Sequence, residues 1–152
     1  HESHELLGTA KFAGCLNVMK DVKRNKYTQN AKIEADCSTD GKEVYKLKST
    51  AGDANWWYDN RVSYIDAKTF ADYRTEYFKG GNKVKIIDRS WVSAGLDDPR
   101  ASYWGYWYGT TLATGHETMA FIPSSVTKVN HKYKKKNLWS TRTLKKMPKK
   151  IK

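Results

Sequence analysis

Short stretches of alternating hydrophobic and polar residues run along most of this chain and are separated by turn-forming residues. The clearest stretches are residues 43–48, 61–66, 77–87 and 103–110. Asp-Gly at residues 40–41 and Gly-Gly at residues 80–81 supply the backbone conformations that tight turns between antiparallel strands require. Because the stretches are also rich in Val, Ile, Tyr and Trp, the pattern predicts an all-β protein.

The N-terminal part of the chain, residues 1–59, is predicted to be a β extension held by a disulfide. After a polar lead-in at residues 1–7, strand-like segments span residues 7–19 and 28–37, and each contains one cysteine, Cys15 or Cys37. The pair is read most simply as one disulfide, which implies an oxidising compartment. The alternative is two buried free thiols in a cytosolic protein.

Five short strands are expected between residues 60 and 126. The segments 67–76 and 88–102 read as loops, because the first is polar and the second contains Gly95 and Asp98-Pro99. Five strands of this length, joined by tight turns, would close into a small barrel, which removes exposed sheet edges.

Six short motifs follow one another along this region. The motifs are VSYID at 62–66, an acidic loop with Asp72 and Glu76, FKGGN at 78–82, WY at 107–108, TG at 114–115 and AFIPSSV at 120–126. The stretch resembles an SH3 domain, and FIPSSV is similar to the close of secreted SH3-like proteins related to melanoma inhibitory activity protein. The resemblance implies an SH3-like barrel over residues 60–129, followed by a basic tail at 130–152. Residues 1–59 would then be extra strands or a degenerate second barrel.

The resemblance also implies a groove for a protein partner. In SH3 domains, proline-rich peptides lie across aromatic ridges as a polyproline II helix. The matching groove residues are Tyr64, Asp72, Glu76, Trp107 and Pro123. The two carboxylates would face an arginine of the ligand. The alternative is that Trp107 and Pro123 only pack the interior of the barrel.

The aromatic stretch at residues 103–108 offers a second candidate surface. Alternation along a strand puts Trp104, Tyr106 and Tyr108 on one face and Trp107 on the other. One face could be an exposed aromatic platform for a protein, a sugar ring or unstacked bases. The alternative is a strand that is buried on both faces.

Charge is strongly segregated along the chain. The formal net charge is +12, yet residues 128–152 hold eleven basic residues and no acidic ones, which leaves residues 1–127 at +1. An unopposed basic run attracts polyanions, and the excess of Lys over Arg favours diffuse attraction over bidentate recognition. The alternative is a solubilising disordered end. The predicted polyanion-binding residues are Lys128, Lys132, Lys134, Lys135, Lys136, Arg142, Lys145, Lys146, Lys149, Lys150 and Lys152.

These observations favour a secreted, monomeric binding protein that is not an enzyme and needs no cofactor. The chain has no Gly-rich phosphate loop, no Gly-x-Ser-x-Gly and no apolar run of the ~20 residues that a membrane-spanning helix needs. We expect the basic run at residues 128–152, the basic arm, to bind a sulfated glycosaminoglycan such as heparan sulfate or an anionic cell surface, and the barrel to contact a protein. A venom or salivary effector would fit this interpretation.

Two alternatives stay open. The first is an SH3-like module that binds nucleic acid with help from the basic arm. The second is a copper-binding polysaccharide oxidase that uses the amine and imidazole of His1, which would need another histidine nearby, such as His116.

Overall fold

Seven antiparallel strands in chain order make up the sheet of this protein. The computed structural model describes residues 1–26, 28–30, 33–129 and 140–142. The strands are β1 Glu2–Lys11, β2 Glu43–Ala51, β3 Asn60–Asp66, β4 Asp72–Lys79, β5 Asn82–Ser93, β6 Ser102–Thr111 and β7 His116–Phe121. Each strand pairs with its neighbours in the sequence, and a 3-10 turn, Ser124–Val126, follows β7.

The sheet is not closed into a barrel, so the all-β prediction is confirmed but the predicted SH3-like barrel is wrong. In the described part of the chain, β1 and β7 are the two edges of the sheet, and no pairing joins them. A barrel over residues 60–129 would need the outer edge of β3 to pair with a later strand. That edge is occupied by β2, which pairs with β3 from Val44 opposite Asp66 to Thr50 opposite Asn60. The predicted division at residues 59/60 and 129/130 stays a prediction.

The N-terminal strands differ from those expected. The residues predicted as a loose lead-in belong to β1, whose polar sequence suits an edge strand because most of its side chains are exposed. Of the strand predicted over 7–19, residues 7–11 belong to β1 and the rest does not form a strand, and the described residues of 28–37 form none. Within the described residues of 12–42, the pairing outside named strands is a single bridge between Leu16 and Asp36. The predicted Cys15–Cys37 disulfide is confirmed and joins the two arms of this segment.

Strands β4 and β5 extend into regions that the sequence predicts as loops. The reason is that buried polar side chains interrupt the hydrophobic alternation. Thr75 and Asp88 are fully buried and Ser90 is nearly so. A buried polar group must form hydrogen bonds inside the protein, and each of these three has a partner.

The main hydrophobic core lies between one face of the sheet and the described residues of 12–42, which we call the cover segment. Phe12 and Leu16 of this segment are buried with Val44, Tyr73 and Tyr106 of the sheet. The Phe12 ring meets Tyr73 edge-on, with ring centroids 5.7 Å apart. Each side chain such as Phe12 or Leu16 that leaves water contributes about 1.5–3 kcal/mol. We call this side of the sheet the covered face.

Polar contacts also attach the cover segment to the sheet. The Asp88 carboxylate accepts hydrogen bonds from the backbone and side-chain nitrogens of Asn17, at 2.7 and 2.8 Å, and from the guanidinium of Arg74. Arg74 in turn donates to the carbonyl oxygen of Cys15 at 3.2 Å. The position of the disulfide loop is therefore coupled to a buried ion pair between β4 and β5.

A second polar link lies at Asp36. Its backbone nitrogen donates to the hydroxyl of Tyr106 at 3.2 Å, and its carboxylate accepts from the hydroxyl of Ser90 at 2.7 Å. Burial opposes ionisation of Asp36, but hydrogen bonds from Ser38 and Ser90 outweigh it and lower the pKa of this carboxyl. Burial likewise raises the pKa of Tyr106 to about 12, so its hydroxyl stays a neutral donor and acceptor at physiological pH.

In the residues that the structure describes, no helix is long and apolar enough to span a membrane.

Candidate functional site

The side of the sheet opposite the cover segment is the candidate functional site, and we call it the open face. Within the described ranges, the buried cluster on this face consists of side chains from the sheet itself and from the β2–β3 turn. The pairing register places one row of residues across it: Leu6, Leu47, Ser63, Thr75, Ile87 and Gly109.

Small residues form the floor of this face. Ser63 and Thr75 are buried, and their hydroxyl oxygens lie 3.4 Å apart. Larger half-buried side chains, including Leu47 and Ile65, stand on the same face beside them. Register shifts occur in four of the six strand pairs, and such bulges bend strands and increase twist. We call this row of small residues on the open face, together with the larger side chains beside it, the trough.

One wall of the trough is apolar and meets solvent. Leu6 on the edge strand β1 is 61% exposed and lies directly opposite Leu47 on β2. Tyr45 and Ile65 are paired in the next row and are half-buried. Large contiguous apolar patches in contact with water mark sites where another molecule binds, and Leu6 with its half-buried neighbours forms an apolar surface of this kind.

The other wall carries a charged pair beside an aromatic ring. Arg89 pairs in register with Trp107, and its guanidinium donates to the Thr75 hydroxyl at 3.0 Å. The same guanidinium lies 2.9 Å from the carboxylate of Asp72, whose side chain is 34% exposed. Burial raises the pKa of Asp72, and the Arg89 charge opposes that rise. The trough thus offers a fixed polar group next to apolar surface.

The Trp107 ring lies against Gly109 of its own strand. A methyl group at Gly109 would lie 3.0 Å from the nearest atom of that ring, which is closer than a comfortable contact. Glycine at this position lets the indole cover the strand, so the ring forms a smooth part of the trough wall.

Four aromatic side chains, Trp56, Trp57, Tyr58 and Tyr77, gather at one end of the open face. We call them the aromatic cluster. The Trp57 ring centroid lies 4.6 Å from that of Tyr58 and 4.8 Å from that of Tyr77. Trp56 and Trp57 are each 49% exposed, although they sit among buried neighbours. Both tryptophans are therefore accessible to a ligand or surface.

A pocket of about 460 Å³ lies beside the aromatic cluster and is lined in part by Glu2, Asp53 and Trp56. Glu2 accepts a bidentate pair of hydrogen bonds from Arg61, at 3.0 and 2.7 Å, and one from the Tyr58 hydroxyl at 2.7 Å. The Arg61 contact lowers the pKa of Glu2 to about 2 against the opposing effect of burial. An ionised Glu2 thereby fixes Tyr58 beneath the exposed tryptophans.

The residues predicted to form an SH3-like groove are divided between the two faces. Tyr64 lies on the covered face, where its hydroxyl donates to Glu76 at 3.2 Å and its ring contacts Phe12. Asp72 and Trp107 lie on the open face. Asp72 forms an ion pair with Arg89, and Trp107 lies opposite Arg89 in the strand pairing. Pro123 follows β7, immediately before the 3-10 turn. The structure therefore does not bring the five residues into one groove.

Strand β6 is buried on the covered face and half-buried on the open face, which favours the alternative of a packed strand over that of an exposed aromatic platform. Tyr106 and Tyr108 are buried against the cover segment, and Trp107 is half-buried on the open face. Trp104 does not continue the alternation, because the register shifts beside Gly105. Its ring instead contacts Trp91, at a centroid distance of 5.8 Å, and stays 41% exposed.

Of the predicted polyanion-binding residues, the structure describes Lys128 and Arg142, and both are exposed. The other nine lie outside the described residues. Within the described residues, no group of three or more His, Cys, Asp or Glu side chains could hold a metal ion. His1 precedes β1 and His116 begins β7, so the structure places the two histidines at opposite edges of the sheet.

Sequence reasoning missed Leu6, Leu47 and Arg89 as candidate site residues. Their grouping depends on strand register, which no local pattern reveals. The adjacent pair Trp56-Trp57 was the one local signal, since two tryptophans in a turn are unusual surface residues.

Comparison with known proteins identifies a similar fold. The sequence matches no protein-family model and no curated protein. The structure is similar to that of a domain from Vibrio parahaemolyticus assigned to outer membrane lipoprotein sorting, with a TM-score of 0.53 and 16% sequence identity. The similarity covers 95% of this chain and 48% of the other, so this chain spans about half the length of that protein. The chain therefore shares an antiparallel sheet fold with a lipoprotein-sorting domain.

Proposed function

We propose that this protein is a binding protein for an amphiphilic ligand, an acyl chain joined to a polar group, and that the ligand lies on the open face. The observation that carries the proposal is the apolar wall of the trough, where Leu6 is exposed directly beside Leu47. The polar floor and the Asp72–Arg89 pair give the same trough a place for the polar part of the ligand. An acyl chain gains about 0.8 kcal/mol for each methylene that leaves water.

The similarity of fold supports this proposal. Lipoproteins carry acyl chains, and a domain assigned to their sorting in the outer membrane shares this sheet. At 16% identity the likeness concerns the fold alone, so the binding role rests on the residues of the open face. A lipid-modified polypeptide or a phospholipid would satisfy the same chemistry.

The disulfide supports a location outside the reducing cytosol. Cys15 and Cys37 are bonded, and such bonds persist in secreted and periplasmic proteins. We therefore propose that the protein works in an oxidising compartment, secreted from the cytosol.

Leu6→Glu tests the acyl-binding proposal in a fluorescence titration with cis-parinaric acid. We expect the variant to bind at least about tenfold more weakly. The acyl chain must either strip water from the new carboxylate or stay away from this wall. Leu6 lies on an edge strand and is 61% exposed, so the fold should tolerate the change. Leu96→Glu is the matched control, since Leu96 is 45% exposed in the β5–β6 loop and should leave affinity unchanged. Equal affinities for all three proteins would refute acyl binding at this wall.

A second candidate function is attachment to polyanions, and the segregated charge of residues 128–152 favours it. We expect a variant with Lys134, Lys135 and Lys136 changed to Gln to elute from immobilised heparin at clearly lower salt than the wild type. Changing Lys11, Lys20 and Lys23 to Gln removes the same charge elsewhere and should shift elution less. If the two triple variants elute together, net charge rather than the arm governs the interaction.

A further inference from the structure

We propose that one end of the sheet, formed by its β2–β3, β4–β5 and β6–β7 turns, docks on an anionic lipid bilayer. In a meander these three turns must lie at the same end, since successive strands reverse direction. The third turn is held against β5, because the Leu112 nitrogen donates to the Val84 carbonyl at 2.9 Å. We call this end of the molecule the docking end.

Three large apolar side chains are exposed at the docking end. Trp56 and Trp57 are each 49% exposed and Leu112 is 44% exposed. Trp is suited to the boundary between water and hydrocarbon, because its ring is apolar while its N–H needs a polar partner. Insertion of these side chains would remove apolar area from water without spanning the bilayer.

The tryptophans are held rigidly, which reduces the entropy lost on docking. Trp57 packs on Tyr58 and Tyr77, and the Trp56 carbonyl accepts a hydrogen bond from Lys79 at 2.9 Å. The same lysine forms an ion pair with Asp59 at 2.8 Å. The β2–β3 turn is therefore fastened to the β4–β5 hairpin in the conformation that exposes both indoles.

One cationic side chain borders the exposed rings: the Lys85 ammonium lies 5.5 Å from the centre of the Trp57 ring. The formal net charge of +12, of which residues 128–152 contribute +11, attracts the molecule to an anionic surface. Long-range attraction would bring the protein to the bilayer, and the tryptophans would then set which end touches it.

The aromatic cluster belongs to both the docking end and the open face. Tyr77 and Lys85 lie in one row of the open face, and Trp57 stands above them. A docked protein would thus present the end of its trough to the bilayer, which connects this inference with the proposed acyl site. Docking itself rests on the exposed rings and not on that site.

The test is sedimentation of the full chain with vesicles of phosphatidylcholine, with and without phosphatidylglycerol. We expect the wild type to bind the anionic vesicles, and the double variant Trp56→Ala, Trp57→Ala to bind about tenfold more weakly. Trp104→Ala is the matched control, because Trp104 is 41% exposed near the opposite end of the sheet. It should bind within about twofold of the wild type.

A second variant tests docking without changing the aromatic cluster, whose substitution could disturb the fold. Leu112→Asp changes an exposed turn residue outside that cluster, and we expect it to weaken vesicle binding as well. Leu6→Glu should keep vesicle binding even if it loses acyl binding, which separates the two proposals. The inference is overturned if the wild type does not bind anionic vesicles, or if the tryptophan and Leu112 variants bind as the wild type does.

Discussion

Replacing Asp88 by alanine lowers the free energy of unfolding by about 3–5 kcal/mol, as is usual when one partner of a buried ion pair is removed. Asp88 is fully buried, and the Arg74 side chain that it neutralises is only 17% exposed. The variant leaves that guanidinium without its counter-charge and Asn17 without its acceptor. Urea unfolding followed by circular dichroism measures the loss.

Two controls make this prediction specific. Asp98→Ala removes a carboxylate that pairs with Arg100 at 2.8 Å on the surface, and we expect little change in stability. The double variant Arg74→Met, Asp88→Leu removes both charges and should be more stable than Asp88→Ala alone. A loss below about 1 kcal/mol for Asp88→Ala would mean that the ion pair does not hold the cover segment on the sheet.

Removing the disulfide with Cys15→Ser and Cys37→Ser costs about 3 kcal/mol by the chain-entropy estimate, because the bond closes a loop between residues 22 apart. The unfolded chain gains conformations once that loop is open. The cost should appear in urea unfolding of the double variant. Reduction of the wild type should produce a similar loss, while the variant should not respond to the reductant.

Hydrogen exchange locates the effect of the disulfide. In the double cysteine variant, we expect the Leu16 amide, which donates to the Asp36 carbonyl at 2.9 Å, to exchange faster than the amides of β5 and β6. The cover segment is therefore expected to open before the sheet does. Uniform acceleration over the whole chain would instead indicate that the disulfide stabilises the sheet and cover segment as one unit.

Local sequence patterns were sufficient to predict the β class and the disulfide. Alternation marked residues 43–48 and 61–66, which lie within β2 and β3, and the two cysteines allowed one intramolecular pairing. The Gly-Gly turn at 80–81 joins β4 to β5 as expected. These features depend on neighbours in the sequence, where periodicity and turn chemistry act directly.

The closed barrel failed as a prediction because closure depends on which strands share an edge. The motif order of residues 60–129 fits several antiparallel folds, and β2 decides between them by pairing with β3. Buried polar residues added a second difficulty. Asp88 and Ser90 look like loop residues in the sequence, whereas their partners Arg74, Asn17 and Asp36 are distant in the chain.

The candidate site was hidden for the same reason. The sequence predicts a polar lead-in at Leu6 and an ordinary strand at Leu47, and only the register places the two opposite each other. Arg89 and Asp72 become candidate site residues only through the ion pair that they form between β5 and β4. The predicted groove residues Tyr64 and Trp107 are separated because successive positions of a strand face opposite sides of the sheet, and Tyr64 of β3 faces the cover segment while Trp107 of β6 does not.

The central claim, that an acyl chain lies on the open face, is tested most directly by photo-crosslinking with a diazirine-bearing fatty acid and mass spectrometric mapping. The predicted result is label at Leu6, Leu47 or Ile65, lost when unlabelled fatty acid competes and reduced in Leu6→Glu. Label confined to the cover segment at 12–42, or label that competition does not reduce, would contradict the claim.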